Sequence, residues 1–197
     1  PVATGRLHVP QKRLAVELPG MKKRSRFLQV PIEPFTVDPE LRADEILEKM
    51  ERISFQGRSL GVALRVWQKM LADDVTIFMG MAGALSAGGL RMIVAYLIEH
   101  RYIDCLVSTG ANLYHDLHET RGRHHYLGSA RANDAALADE RIDRVYDTYA
   151  SEEEFCDNDV WIGDFVAALD QRPYTSREFL SLLGGHLRSE TGQDGMV

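Results

Sequence analysis

Residues 75–119 constrain the fold more than any other part of the chain. They run Val75-Thr-Ile-Phe-Met-Gly80, then Met81-Ala-Gly-Ala-Leu-Ser-Ala-Gly-Gly89, then an apolar segment over 90–100. Ile103-Asp-Cys-Leu-Val-Ser-Thr109 and Gly110-Ala-Asn-Leu-Tyr-His-Asp-Leu-His-Glu119 follow. The segments 75–79 and 103–107 are short, apolar and rich in β-branched residues, and they do not alternate with polar ones. That pattern predicts parallel strands buried on both faces. Between them Leu90, Ile93, Val94, Leu97 and Ile98 recur at helical spacing. Parallel neighbours need a crossover of this kind, so the expected class is α/β, a parallel sheet of Rossmann-like topology flanked by helices.

Ligands of such sheets bind beyond the carboxyl ends of the strands, where this sequence places two loops of small residues. Gly80, Gly83, Gly88 and Gly89 leave room for a tight turn or a close ligand. The helix that follows presents free N–H groups suited to a phosphate. The spacing is not G-x-G-x-x-G, so phosphate binding and close helix–sheet packing both stay open on spacing alone.

The flanking segments follow local rules. Residues 1–30 mix Lys, Arg, Pro and Gly without periodicity and are expected to form an arm, with residues 31–197 a single domain portion. Asp38 and Pro39 suit a helix start, with Leu41, Ile46, Leu47, Met50 and Ile53 on its inner stripe. Phe55-Gln56-Gly57 is expected to break that helix, and a second to begin near Ser59. Residues 120–133, with Arg121, Arg123, His124, His125 and Arg131 between glycines, suit a long loop. A short helix over 135–140, a strand over 141–146, a helix from Ser151 and a capping box at Thr175-Ser-Arg-Glu178 complete the pattern.

A net charge of −6 argues against nucleic acid or an anionic membrane as partner. Two cysteines, Cys105 and Cys156, suit a reducing cytoplasm rather than a disulfide framework. No apolar run is long enough to span a bilayer.

The central stretch resembles the deoxyhypusine synthase family. Phe78-Met-Gly80, Gly83-Ala-Leu-Ser-Ala-Gly-Gly89 and 104–116 carry the match. Ser54-Phe-Gln-Gly57 and Tyr174-Thr-Ser-Arg-Glu-Phe-Leu180 look like further landmarks. The resemblance implies a cytoplasmic homotetramer with sites at dimer interfaces. It also implies NAD-dependent transfer of a four-carbon amino or guanidino group between amines through imines held on a lysine. Family chains are nearly twice as long, so the lysine nucleophile is expected beyond Val197. The chain then reads as an amino-terminal part, a truncated product, or a subunit completed by another chain.

The resemblance also implies residue roles. Gly83, Ala84, Leu85, Ser86 and Ala87 align with the first NAD-contacting loop, with Ser86 as a hydroxyl donor. Thr109, Gly110 and Ala111 align with the second. Where the translation-factor-modifying enzymes carry two adjacent glutamates, this sequence has Tyr114 and His115, followed by Asp116. That departure looks more like the bacterial and archaeal synthase-like branch, whose members are associated with agmatine. A guanidinium suits stacking on Tyr114 and an ion pair with Asp116, and His115 suits proton transfer near neutral pH. Spermidine, in a deoxyhypusine or homospermidine synthase, is the alternative donor. His115, His118, His124 and His125 hold metal-ligating atoms, but H-D-L-H-E is not H-E-x-x-H, and no metal is expected.

Overall fold

The computed structural model describes residues 26–197, so the expected arm lies outside the described residues except at its end. The chain divides into two compact units, Pro1–Gln68 and Lys69–Val197.

The first unit holds α1 (Ala43–Met50) and most of α2 (Phe55–Ala72). Asp38 caps a preceding turn rather than α1. Its carboxylate accepts the Glu40 N–H at 3.0 Å. The helix starts after Arg42, whose N–H is taken by the Glu45 carboxylate at 2.8 Å. The expected break at Phe55-Gln-Gly57 is instead the first turn of α2. Gly57 makes that possible, because a Cβ there would lie 2.7 Å from Ile53 Cδ1. Gly61 brings α1 against α2. A Cβ at this position would sit 2.4 Å from the Glu51 nitrogen and 2.8 Å from the Leu47 carbonyl oxygen. Arg65 Nε donates to Glu51 Oε1 at 2.7 Å across the same crossing.

In the second unit β1 (Phe78–Met81) pairs in parallel with β2 (Cys105–Ser108), Phe78 opposite Cys105 and Met81 opposite Ser108. The strands begin two or three residues later than the apolar runs suggest. Before β1, the Ile77 carbonyl accepts the Asp104 N–H at 2.9 Å, and Asp104 Oδ2 accepts the Ile77 N–H at 2.7 Å. The connection is a single wide helical turn (Ser86–Leu90) leading into α3 (Arg91–Glu99). The expectation of burial on both faces is corrected. Successive side chains point to opposite faces, and only one face is covered among the described residues. Met79, Met81 and Leu106 pack against Val94, Ala95 and Met196. On the other face Phe78 is 67% and Val107 59% exposed.

After β2 come α4 (Gly110–Thr120), β3 (Tyr126–Leu127), α5 (Asp134–Asp139), β4 (Ile142–Val145), β5 (Thr148–Ser151), α6 (Glu152–Ala167) and α7 (Ser176–Thr191). The strands form an antiparallel sheet in the order β3-β5-β4. Reading 120–133 as loop misses β3, which is only two residues long. Gly128 follows it because the Tyr149 ring lies 2.4 Å from where a Cβ would be. Leu117, Phe165, Leu183 and Leu187 form the core shared by α4, α6 and α7. Thr175 caps α7 by accepting the Glu178 N–H at 3.2 Å. The Glu178 carboxylate pairs with Arg172 at 2.5 Å, so only half of the expected capping box forms.

Candidate functional site

Helix α4 begins directly at the end of β2, and its periodicity sorts the site into stripes four residues apart. Asn112, Asp116 and Thr120 form one fully buried stripe. Asn112 laces the two small-residue loops together. Its carbonyl accepts the Ser86 hydroxyl at 2.7 Å, and its Oδ1 accepts the Ser86 N–H at 3.3 Å. Asn112 Nδ2 donates to Thr109 Oγ1 at 3.2 Å, and the Thr109 hydroxyl donates to the Gly83 carbonyl at 3.4 Å. The loops 83–87 and 109–111 therefore lie side by side.

Within that pair of loops the expected cofactor residues differ in access. Gly83, Leu85, Thr109, Gly110 and Ala111 are exposed, Ala84 is half-buried, and Ser86 and Ala87 are buried. Gly83 has φ 69°, a left-handed conformation that favours glycine. Nothing lies within 4 Å of a Cβ built at Gly83, Gly88, Gly89 or Gly110. Thr109 precedes the first turn of α4, and its side chain accepts from none of that turn's backbone N–H groups. Open backbone and an uncapped helix start fit a dinucleotide phosphate. Ser86 differs from its expected part as a free hydroxyl donor, because its proton is already given to Asn112.

Asp116 is 0% exposed. Oδ1 accepts from Arg91 Nη1 at 3.2 Å, and Oδ2 accepts the Met196 N–H at 2.6 Å and the Val197 N–H at 3.3 Å. It thus holds a guanidinium of its own chain, whereas the sequence suggests a contact with a substrate guanidinium. Arg91 also donates Nε to Glu119 Oε2 at 2.9 Å and Nη1 to Thr120 Oγ1 at 3.1 Å.

The stripe Ala111, His115, Glu119 carries the titratable groups. His115 Nδ1 lies 2.9 Å from His125 Nε2, and His125 Nδ1 lies 2.7 Å from Glu119 Oε1. Burial, and then the charge of His125, lower the His115 pKa. Burial works against ionisation of Glu119, but His125 and Arg91 outweigh it and hold that carboxyl below its usual range.

Tyr114 faces α6. Its hydroxyl lies 2.8 Å from both the Phe155 carbonyl and Asp159 Oδ1. Burial and Asp159 push its pKa up, so the phenol stays neutral.

His118 is fully buried beside it. Its Nδ1 accepts from Asn158 Nδ2 at 3.0 Å, which leaves the proton on Nε2 toward the His124 carbonyl at 3.4 Å. Burial drives its pKa down to about 4. An unfolded histidine titrates near 6.5, so between those values the unfolded chain binds a proton that the folded chain refuses. This stability is present above 6.5 and lost as pH falls. From pH 7 to 4.5 the loss is expected to be about 2 kcal/mol. Urea unfolding across that range checks it, with His118→Gln flattening the slope. An unchanged slope in the variant would rule His118 out as the cause.

Sequence reasoning missed Arg91, Asn112, Asn158 and Asp159. Arg91 did leave a signal. A cation in the first turn of a helix opposes the helix dipole and marks a residue held by partners. Among the described residues no three His, Cys, Asp or Glu side chains are grouped to hold a metal ion. No helix there is long and apolar enough to cross a membrane.

Three comparisons bear on this geometry. Residues 45–195 match the family described as deoxyhypusine synthase. "Probable deoxyhypusine synthase 2" of Methanosarcina mazei is 44% identical over 173 residues, 87% of this chain and 50% of that protein. "Deoxyhypusine synthase-like protein" of Coxiella burnetii is 34% identical over 180 residues, 89% of this chain and 50% of that protein. The chain thus spans about half the length of the curated relatives it matches. The crystal structure of "a putative deoxyhypusine synthase from Entamoeba histolytica" shares the fold, with a TM-score of 0.51 at 18% identity, over 81% of this chain and 58% of that one.

Proposed function

The chain belongs to the deoxyhypusine synthase family, and from that premise we propose that it is part of an NAD-dependent transferase moving a four-carbon amino or guanidino group between amines. The observation that carries this reading is the lacing of loops 83–87 and 109–111 through Asn112, which aligns open backbone at one helix start.

When bound, NAD supplies a reversible acceptor for one hydride. Gly83, Ala84, Leu85, Thr109, Gly110 and Ala111 would hold it, with Ser86 and Ala87 fixing the shape of the first loop from within. Tyr114 and His115 would meet the amine. We assign Asp116 the task of positioning Arg91, because both of its oxygens are taken. The lysine that carries the transferred group is proposed to come from the part of the family's length that this chain does not span. A homotetramer in the cytoplasm is the proposed assembly.

Agmatine is the proposed donor, because Tyr114 and His115 stand where a polyammonium site would need carboxylates. Spermidine is the second reading, favoured by the name of the Methanosarcina mazei relative, a probable deoxyhypusine synthase.

Gly110→Val tests the cofactor site. A Cβ at Gly110 meets nothing within 4 Å, so the added side chain branches from open space. Calorimetric titration of the protein at its natural length is expected to show NAD affinity falling at least about tenfold, a loss of about 1.4 kcal/mol. The melting temperature should be nearly unchanged. Unaltered affinity would remove the second loop from the cofactor site.

A further inference from the structure

We propose that His115, His125 and Glu119 form a proton relay between the amine-facing side of α4 and an open cleft. The proposal rests on the amine-transfer reading above. An amine at neutral pH carries a proton that it must shed before it can act as a nucleophile, and a leaving amine must regain one. Aqueous chemistry gives that proton to water, but imines must be kept from water. A site that excludes water needs another route.

The tautomers follow from the contacts. An ionised carboxylate only accepts, so the 2.7 Å contact requires His125 to carry its proton on Nδ1. His125 Nε2 is then bare in the neutral ring and accepts from His115 Nδ1–H at 2.9 Å. His115 Nε2 is left bare, and among the described residues its ring bonds only through Nδ1. It is the open end of the chain. At the other end, Glu119 and His125 line a cleft of about 380 Å³ together with Gly88, Gly89 and Asp147. The Glu119 side chain is 23% exposed.

A proton arriving at His115 Nε2 breaks the substrate N–H bond and makes a new one. The Nδ1 proton of His115 passes to His125 Nε2, the Nδ1 proton of His125 passes to Glu119, and Glu119 releases a proton to cleft water. The net change is one ammonium deprotonated and one hydronium formed, with no redox partner. Reprotonating the leaving amine runs the same steps backwards and restores both tautomers. The charged and titratable groups around the relay are His118 of α4, whose ring centroid is 5.0 Å from that of His125, Arg91 of α3 behind Glu119, Arg123 in the same loop, and Glu154 of α6 beside His118. His115 is the candidate catalytic residue. His125 and Glu119 act through it.

Two readouts test the relay on the protein at its natural length. Long-range nitrogen–proton NMR of the imidazoles does not depend on turnover. It is expected to show His125 protonated on Nδ1, His115 protonated on Nδ1 and bare on Nε2, with Glu119→Gln altering both. Either ring in the opposite tautomer would overturn the proposal even if no transfer activity were found. In turnover, His125→Ala should lower kcat by about 10²-fold with KM and NAD affinity within twofold, and added imidazole should restore part of the loss. An unchanged kcat, or a loss that imidazole does not restore, would equally overturn it. Absence of transfer in the unaltered protein would instead count against the proposed function, and the NMR result would still decide the relay.

Discussion

Asp116→Ala is expected to be the most damaging single substitution in the second unit, at about 4 kcal/mol. Removing the carboxylate strands several groups at once. Arg91, with a side chain 13% exposed, loses its fully buried counter-charge. The Met196 and Val197 N–H groups lose their acceptor. A buried donor left unsatisfied costs about 1–3 kcal/mol, and Arg91 keeps only Glu119 as a counter-charge. Burial alone pushes the Asp116 carboxyl upward, with the Met196 N–H and the Arg91 guanidinium pulling against it. On balance the carboxyl stays above its usual range, so the native contacts offset only part of the desolvation cost. At this chain length a loss of about 4 kcal/mol corresponds to a melting temperature lower by about 10 °C. Differential scanning calorimetry checks it. Asp116→Asn retains one acceptor oxygen and should fall between the two. A loss below about 1 kcal/mol for Asp116→Ala would mean that the network is solvated and not structural.

Gly61→Ala is expected to cost about 3 kcal/mol in the first unit, the upper end for overpacking. The added methyl would meet backbone, the Glu51 nitrogen and Cα and the Leu47 carbonyl oxygen, all within 2.8 Å. A flexible side-chain tip can move aside at little cost, but two helix backbones can only separate. Separation also breaks the 2.7 Å pair of Arg65 with Glu51. Helix propensity works the other way, since Ala is favoured over Gly by about 1 kcal/mol in a helix interior. A variant as stable as the parent would therefore show that α1 and α2 do not touch at this position. Chemical denaturation of the two proteins side by side decides it.

What the sequence displayed of this fold depended on whether the signal was local. The β1-α3-β2 unit was legible because apolar runs and helical spacing are contained in the chain itself. The starts of α6 and α7 were legible because Ser151 and Thr175 accept N–H groups three residues on. The start of α2 was not, because a glycine at position 57 reads as a break. Its use, fitting the first turn against Ile53, depends on a neighbour that spacing does not show. Strands β3 and β5 were missed for the same reason, since their register is a tertiary fact.

The candidate site divides likewise. The two small-residue loops could be found from composition and order. That they are tied through Asn112 could not, because this requires knowing which stripe of α4 faces Ser86. Asp116 illustrates the limit. An acidic residue beside Tyr114 and His115 reads as a ligand for a cation, and it does bind one. The cation is Arg91, 25 residues earlier in the chain.

The measurement that bears most directly on the proposed activity is mass spectrometry of the products formed by the protein at its natural length with NAD and either agmatine or spermidine. Agmatine is expected to give a guanidino-capped product, with NAD unchanged in amount after many turnovers. Release of diaminopropane from spermidine, with agmatine inert, would contradict the substrate roles given to Tyr114 and His115. No product from either amine, with NAD bound, would contradict the transferase reading itself.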